Sequence, residues 1–600
     1  MNQCKLLLRS IRYSWHLIYR SSKLLVLPYF IIRLIEPSLT LLQTFMFKMI
    51  LDNLITADVN IAAVLFCAAL YGLSLILAQG ISTAGNHLES VIFWQKAAHL
   101  YECELAEKMS QLPLSLMDSS KGRDMIDDVK YANNTVILIF IRITTVISSL
   151  YTIIVALVTL LRFNVLFSLL FLLLTIPGII LNHVFDKKAE ALRMKTAPDI
   201  RKFAYYRWMA TDAWPAKDVR MYDLTEPIKT RYHEEKNEYL RANKRLDKQK
   251  TKCYMLAELI KRSGEIAFTI YIVYAALTSQ ITIGDVALYS GFALTLSNTF
   301  EWMLDTIVLG YTRTTEIIGR VLDFFAMETE KKRGDRALER FESITFDNVF
   351  FKYPHTEKDV LSGVSFTVNR GEKVSIVGIN GSGKSTMIKL MLGLYEIESG
   401  QILINGYPMS DYDIKNVRKQ FSVLFQNFVQ YPLTLRENVA SSALDKSEDS
   451  DAIKHVLSLS GVYDDLQPKL EHGLDSYMTR QFDDKGTELS KGQWQKIALS
   501  RAYFKNAAIV IFDEPSSALD AEAEDRIFRN FEEISDGKTG IMISHRISGA
   551  RMSDRIIVLD GGKITEQGTH DELLAQNGLY AHLYELQREK YTLKEESCHE

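Results

Sequence analysis

A chain of 600 residues is too long for one hydrophobic core and requires at least two domains. Its 70 basic and 73 acidic residues leave a net charge of −3, which argues against a dedicated nucleic-acid binder and predicts no nucleic-acid partner. Charge is segregated, however: residues 59–88, 143–161, 163–185 and 266–284 contain no Asp, Glu, Lys or Arg, which excludes a purely soluble or disordered protein, because an apolar helix of about 20 residues crosses a ~30 Å hydrocarbon core.

Residues 1–23 carry Lys5, Arg9, Arg12, Arg20 and Lys23 with no acid and read as a cytosolic N-terminal segment. The first apolar run starts near Leu24 and continues as a span, so no cleavable signal is expected. Six spans can be drawn, at about 24–47, 60–84, 135–161, 163–185, 254–279 and 283–308, within a membrane domain of 24–325. Cys4, Cys67, Cys103, Cys253 and Cys598 lie far apart without a CxxC pair and read as structural thiols.

The connections alternate in length. Spans 3 and 4 are separated by little more than Arg162, whereas residues 85–134 and 186–253 form long polar connections. The second of these holds 18 basic residues against 11 acidic ones, and basic segments stay on the cytoplasmic side. Both termini and both long connections are therefore expected in the cytosol. If the helices simply continue, arms of about 25–30 residues would project roughly 40 Å beyond the bilayer. The tips are broken at Pro113–Gly122 and from Trp214-Pro215 to Pro227, where either a short transverse helix or a plain turn fits.

A linker at 326–340 leads into a second domain, 341–590, and a tail, 591–600. Here short β-rich runs alternate with amphipathic helices, the pattern of a largely parallel α/β domain. The run Lys373-Val374-Ser375-Ile376-Val377 ends in Gly378-Ile379-Asn380-Gly381-Ser382-Gly383-Lys384-Ser385, a P-loop in its strand–loop–helix setting. Glycines let backbone N–H groups turn inward around phosphates, and the following helix adds its positive end. Lys384 would then reach the β/γ-phosphates and Ser385 would ligate Mg²⁺. A second apolar strand, Ala508–Phe512, ends in Asp513-Glu514, suited to a Mg²⁺-side carboxylate followed by a water-polarising one.

Between these strands stands Leu489-Ser490-Lys491-Gly492-Gln493, close to the LSGGQ signature of ABC transporters, and the chain resembles that family over its whole length. The resemblance implies an α-helical membrane domain of six transmembrane helices with long cytosolic extensions, followed by an α/β P-loop ABC ATPase domain. It matches Tyr353 to the aromatic that stacks on adenine, Gln426 to the Q-loop glutamine, Asp520 to the D-loop and His545 to the switch histidine. It further implies that Glu514 is the general base, aided by His545 and Gln426. Mg²⁺ would be held by Ser385, Gln426 and Asp513. ATP would be bound by Gly378, Asn380, Gly381, Ser382, Gly383, Lys384, Ser385 and Thr386, and across a dimer by Ser490, Gly492, Gln493 and Asp520. A second copy of the chain is the implied partner, with a heterodimer also open. The third signature position is Lys491 where the family usually has Gly, and its side chain is expected to project to solvent.

The membrane half is similar to the stand-alone bacterial exporters of lantibiotic-type peptides, in the 103–131 loop, in Asp212–Leu224 and in Gln426–Asn438. That similarity implies ATP-driven, alternating-access export of a peptide or other amphipathic molecule across the bacterial cytoplasmic membrane. No cysteine-protease domain precedes the first span, so a leader would be removed elsewhere. A lipid flippase, a multidrug exporter and an ATP-gated regulator or channel share the architecture. Charges inside spans usually face a wet cavity or a partner, which nominates Arg33, Glu36, Arg142 and Glu265 for a substrate cavity, with Glu301 and Asp305 lower in span 6.

Overall fold

The computed structural model describes residues 3–55, 60–330, 334–354, 356–515, 521–544 and 547–596, which form two compact units. The first unit, Met1–Ser110 with Asp124–Met327, is helical. Helix α1 (Gln3–Ile55) begins well before Leu24: the basic N-terminal segment is itself helical, joined to the span across a break at Ser22 (φ −151°, ψ 44°). Then come α2 (Ile61–His87), a π-helical turn at Leu88–Phe93 and α3 (Trp94–Ser110). A short helix α4 (Leu114–Asp118) precedes α5 (Ser120–Lys130), α6 (Asn133–Phe163), α7 (Val165–Lys195) and α8 (Ala197–Thr211). Helices α9 (Ala216–Met221), α10 (Thr225–Leu277) and α11 (Ile283–Phe325) complete the membrane half.

Among the described residues, three helical segments are long and apolar enough to cross a membrane: Lys5–Ile55, Ile61–Ser110 and Asn133–Phe163. The apolar half of α10 is interrupted by Lys261, Arg262 and Glu265, which weakens its signal. At 1.5 Å per residue the 53 residues of α10 extend roughly 80 Å, far more than a bilayer needs. The excess is the polar arm. Helix α1 packs on α2, α6 and α11, while α7 packs on α10 and α11. Tyr29, Phe93 and Phe140 are fully buried together, with Phe93 edge-on to Tyr29 (5.1 Å) and to Phe140 (5.6 Å). Both tips carry a short helix, α4 and α9, rather than a plain turn.

The second unit comprises Gln111–Arg123 and Glu328–Glu600. Its smaller sheet is antiparallel, ordered β2-β1-β4-β5, from β1 (Ser343–Phe351), β2 (Leu361–Asn369), β4 (Ser399–Ile404) and β5 (Tyr407–Pro408). The larger sheet is ordered β10-β9-β3-β8-β7-β6. Its strands are β3 (Lys373–Gly378), β6 (Phe421–Leu424), β7 (Ile509–Asp513), β8 (Thr539–Ile543), β9 (Arg555–Asp560) and β10 (Lys563–Gly568). All neighbours are parallel except β10, an antiparallel edge. Every residue of β7 and β8 is buried, as strands covered on both faces must be.

Residues 111–123 belong to this unit because they dock on it. Leu114 packs against the core that contains Phe351 and Tyr395, the Tyr395 hydroxyl donates to the Asp118 carboxylate, and Glu330 N–H donates to the Gln111 carbonyl. The contact thus falls on Tyr395.

Candidate functional site

The P-loop starts where β3 ends at Gly378 and closes where α12 (Lys384–Met391) begins. A Cβ at Gly378 would come within 2.1 Å of the Leu559 carbonyl oxygen. Gly383 has φ +107°, and a Cβ there would meet Leu361 at 2.7 Å, so only glycine fits both ends of the loop. Lys384 is buried, and its ammonium donates to the Gly378 and Ile379 carbonyls at 3.0 Å each. Burial pulls its pKa below the ordinary lysine value, opposed by Glu514 and Asp513. The Ser382 hydroxyl is buried and has no hydrogen-bond partner among the described residues. A buried cation held, among the described residues, by two carbonyls, together with an orphaned hydroxyl, fits a phosphate group.

Asp513, at the end of β7, accepts from the Ser385 hydroxyl at 3.1 Å. Burial raises its carboxyl to about 6, with the charge of Glu514 adding and Ser385 and Lys384 opposing. Glu514 follows in the left-handed region, φ +51°, where non-glycine residues are strained. Its N–H is fixed on the Ile543 carbonyl at 3.0 Å, and its carboxylate accepts from the Gln426 amide. Lys384, Ser385, Gln426 and Glu514 all line one cavity of about 510 Å³.

Tyr353, Asn380, Gly381, Gly383 and Thr386 line the same cavity. The Tyr353 hydroxyl lies 3.1 Å from that of Thr386 and accepts from Lys389 at 3.3 Å. Its ring meets Phe351 and Tyr395 edge-on at 5.1 and 5.4 Å. The tyrosine that carries the docked tip therefore also supports the aromatic wall of this cavity. Nothing in the sequence marks Tyr395 for this, since its partners lie far from it along the chain.

Ser490, Gly492 and Gln493 open the helix Lys491–Lys505 and are not among the cavity's lining residues. The Ser490 hydroxyl accepts from Gln493 N–H at 3.2 Å, and the Gln493 side-chain Oε1 accepts from Ser490 N–H at 3.0 Å. This capping box sets where the helix starts. Lys491 is exposed at its first position. Further along, half-buried Arg501 donates to the Val429 carbonyl (2.7 Å) and to Asn438 (2.6 and 2.9 Å) and covers the Tyr431 ring, tying down the segment after Gln426. Asp520 and His545 lie outside the described residues, as do Ser517–Leu519.

In the membrane half, Arg33 and Glu36 line a cavity of about 410 Å³ together with Ser148, Ser149, Asn298 and Trp302. The pairing of Arg33 with Glu36 is the looser one, at 3.4 Å; its tighter partner is Glu89, on the π-helical turn. Arg142 and Glu265 are directed elsewhere. Arg142 donates to the Thr314 hydroxyl, and Glu265 accepts from Arg262 (2.7 Å) and Ser297 (3.1 Å). Glu301 is bound by Lys261 and by Tyr254 (2.7 Å).

Residues 361–517 match the family model "ABC transporter". The subtilin transport ATP-binding protein of Bacillus subtilis is 31% identical over 499 residues, covering 82% of this chain and 80% of that protein. The chain belongs to the ABC transporter family. The nisin transport ATP-binding protein of Lactococcus lactis is 28% identical over 85% of this chain and 86% of its own length. The ATP-dependent lipid A-core flippase of Haemophilus ducreyi is 38% identical, over 44% of this chain and 45% of its own. A bacterial Atm1-family ABC exporter with ATP bound superposes with a TM-score of 0.75 over 94% of this chain and 98% of its own, at 22% identity. The fold is thus that of an ABC exporter, with a helical membrane domain before an α/β ATPase domain. This ABC transporter is a membrane protein that binds ATP and couples its hydrolysis to translocation.

Proposed function

We propose that this ABC transporter exports a peptide across the bacterial cytoplasmic membrane as a pair of copies. One observation carries the reading: the likeness to the subtilin transport protein runs over 82% of the chain, whereas the likeness to the lipid A-core flippase covers 44%. The spans would be the apolar parts of α1, α2, α6, α7, α10 and α11, within 24–325. The ATPase domain, 341–590, and both termini would lie in the cytosol.

Phosphoryl transfer to water needs positioned charge more than covalent chemistry. Lys384 would neutralise the phosphates inside the P-loop. Ser385, Asp513 and Gln426 would hold Mg²⁺, which supplies further neutralising charge when bound. Glu514, held toward the cavity by its backbone turn and by Gln426, would take the proton of the attacking water. By family resemblance His545 would contact the γ-phosphate. Ser490 and Gly492, absent from this chain's own cavity, would serve the nucleotide of the second copy.

The test is transport itself. Inside-out vesicles containing the protein should accumulate a labelled precursor peptide, found near its gene, with ATP but not with a non-hydrolysable analogue. ATP-dependent lipid translocation without peptide uptake would replace this reading with the flippase, and ATP-dependent conductance without uptake would replace it with a channel.

A further inference from the structure

Resting on the peptide-export reading above, we propose that the cavity between α1, α6 and α11 receives a cationic group of the cargo, with Glu36 as its counter-charge. Two ionisable groups line it, Arg33 and Glu36, and Arg33 also pairs with Glu89, which is not among the lining residues. Within this cluster of described residues one guanidinium faces two carboxylates, so with Arg33 held by Glu89 the charge of Glu36 is left in excess. Arg33 is committed. It pairs with Glu89, donates through Nε to the Tyr29 hydroxyl at 3.1 Å and lies over the Tyr29 ring at 5.2 Å. The Glu36 side chain, 30% exposed and 3.4 Å from Arg33, is the looser partner and retains capacity to accept.

The rest of the wall suits the same occupant. Ser148 spends its hydroxyl on the Arg33 carbonyl at 2.8 Å, which pins α6 to α1 and holds the charged turn in place. Asn298 adds an amide from α11, and the Trp302 ring, 64% exposed, offers a face for an ammonium and for apolar side chains. Charges away from bulk water interact strongly, and the carboxylate of Glu36, left over by the Arg33–Glu89 pair, repels a phosphorylated headgroup while attracting a lysine or arginine side chain. The charge cluster therefore selects between two cargoes that the shared architecture permits.

The test uses the full-length protein in phosphatidylcholine vesicles with two synthetic 12-residue amphipathic peptides, one alternating Leu with Lys and the other Leu with Glu. The ratio of the concentrations giving half-maximal ATPase stimulation is read. The wild type should respond to the Lys peptide at about tenfold lower concentration, a difference of about 1.4 kcal/mol. Glu36→Gln should bring that ratio toward one, Glu36→Asp should keep it, and Asn298→Lys should invert it. An unchanged ratio in both Glu36→Gln and Asn298→Lys, with vectorial peptide uptake intact, would overturn the cavity assignment and leave peptide export standing. If lipid A is translocated and neither peptide stimulates or accumulates, export of peptides falls and this assignment with it.

Discussion

Two adjacent carboxylates, Asp513 and Glu514, differ in surroundings, and different tasks are proposed for them. Glu514→Gln keeps the shape and the contact with Gln426 but removes the base, so turnover should fall by about 10²–10⁴-fold while ATP stays bound. Lys384→Ala should instead weaken ATP binding, because it removes the buried cation of the loop. Nucleotide occupancy and ATPase rate, measured side by side, distinguish the two. Asp513 titrates near 6, so it is ionised at pH 7 and largely protonated at pH 5. A proton there competes with a cation, and the Mg²⁺ concentration giving half-maximal ATPase should rise as pH falls from 7 to 5. Because its folded pKa is raised, the ionised form lowers stability as pH climbs through about 6. Stabilisation by Mg²⁺ with ATP, read as a shift in Tm, should therefore be larger at pH 8 than at pH 5. Equal shifts at both would remove Asp513 from the metal site.

Elements were legible in the sequence to the extent that they are local. The P-loop glycines, the apolar strand into Asp513-Glu514 and the uncharged stretch of α2 each sit within one short segment, where side-chain type and backbone demand coincide. Even the Ser490–Gln493 capping box is a local spacing. What could not be read are contacts made across the chain: Glu89 on Arg33, Arg501 on Asn438, and the α4 tip on Tyr395. The tip was foreseeable as a break at Pro113, but its receptor was not, because the ring that receives it is an ordinary tyrosine 277 residues away from Asp118. Tyr395→Phe tests that element contact. It keeps the edge-on packing with Phe351 and Tyr353 but loses the bond to a carboxylate, worth about 1.5–3 kcal/mol. Basal ATPase should persist while the cargo-stimulated part falls about tenfold, a 1.4 kcal/mol equivalent. Stimulation at the wild-type level would mean that α4 reports through another contact.

At the scale of the whole molecule, the basic connections predict sidedness. In a cysteine-free protein, a cysteine placed at Ser279 should react with an impermeant thiol reagent added outside intact cells, and one at Lys217 should not; the reverse pattern would invert the chain in the membrane. The turn at Glu514 carries a different consequence. A residue other than glycine at φ +51° gives up about 1–2 kcal/mol, and the residue proposed as general base occupies that position. Glu514→Gly should therefore abolish hydrolysis without lowering Tm, whereas Glu514→Val, with the same loss of the carboxylate, should lower it. Folding quality and catalytic worth pull in opposite directions at this single residue. In a cell that ceased to need the cargo moved, drift toward a better-behaved protein would erase the ATPase first, leaving a well-folded protein that still binds ATP and no longer spends it.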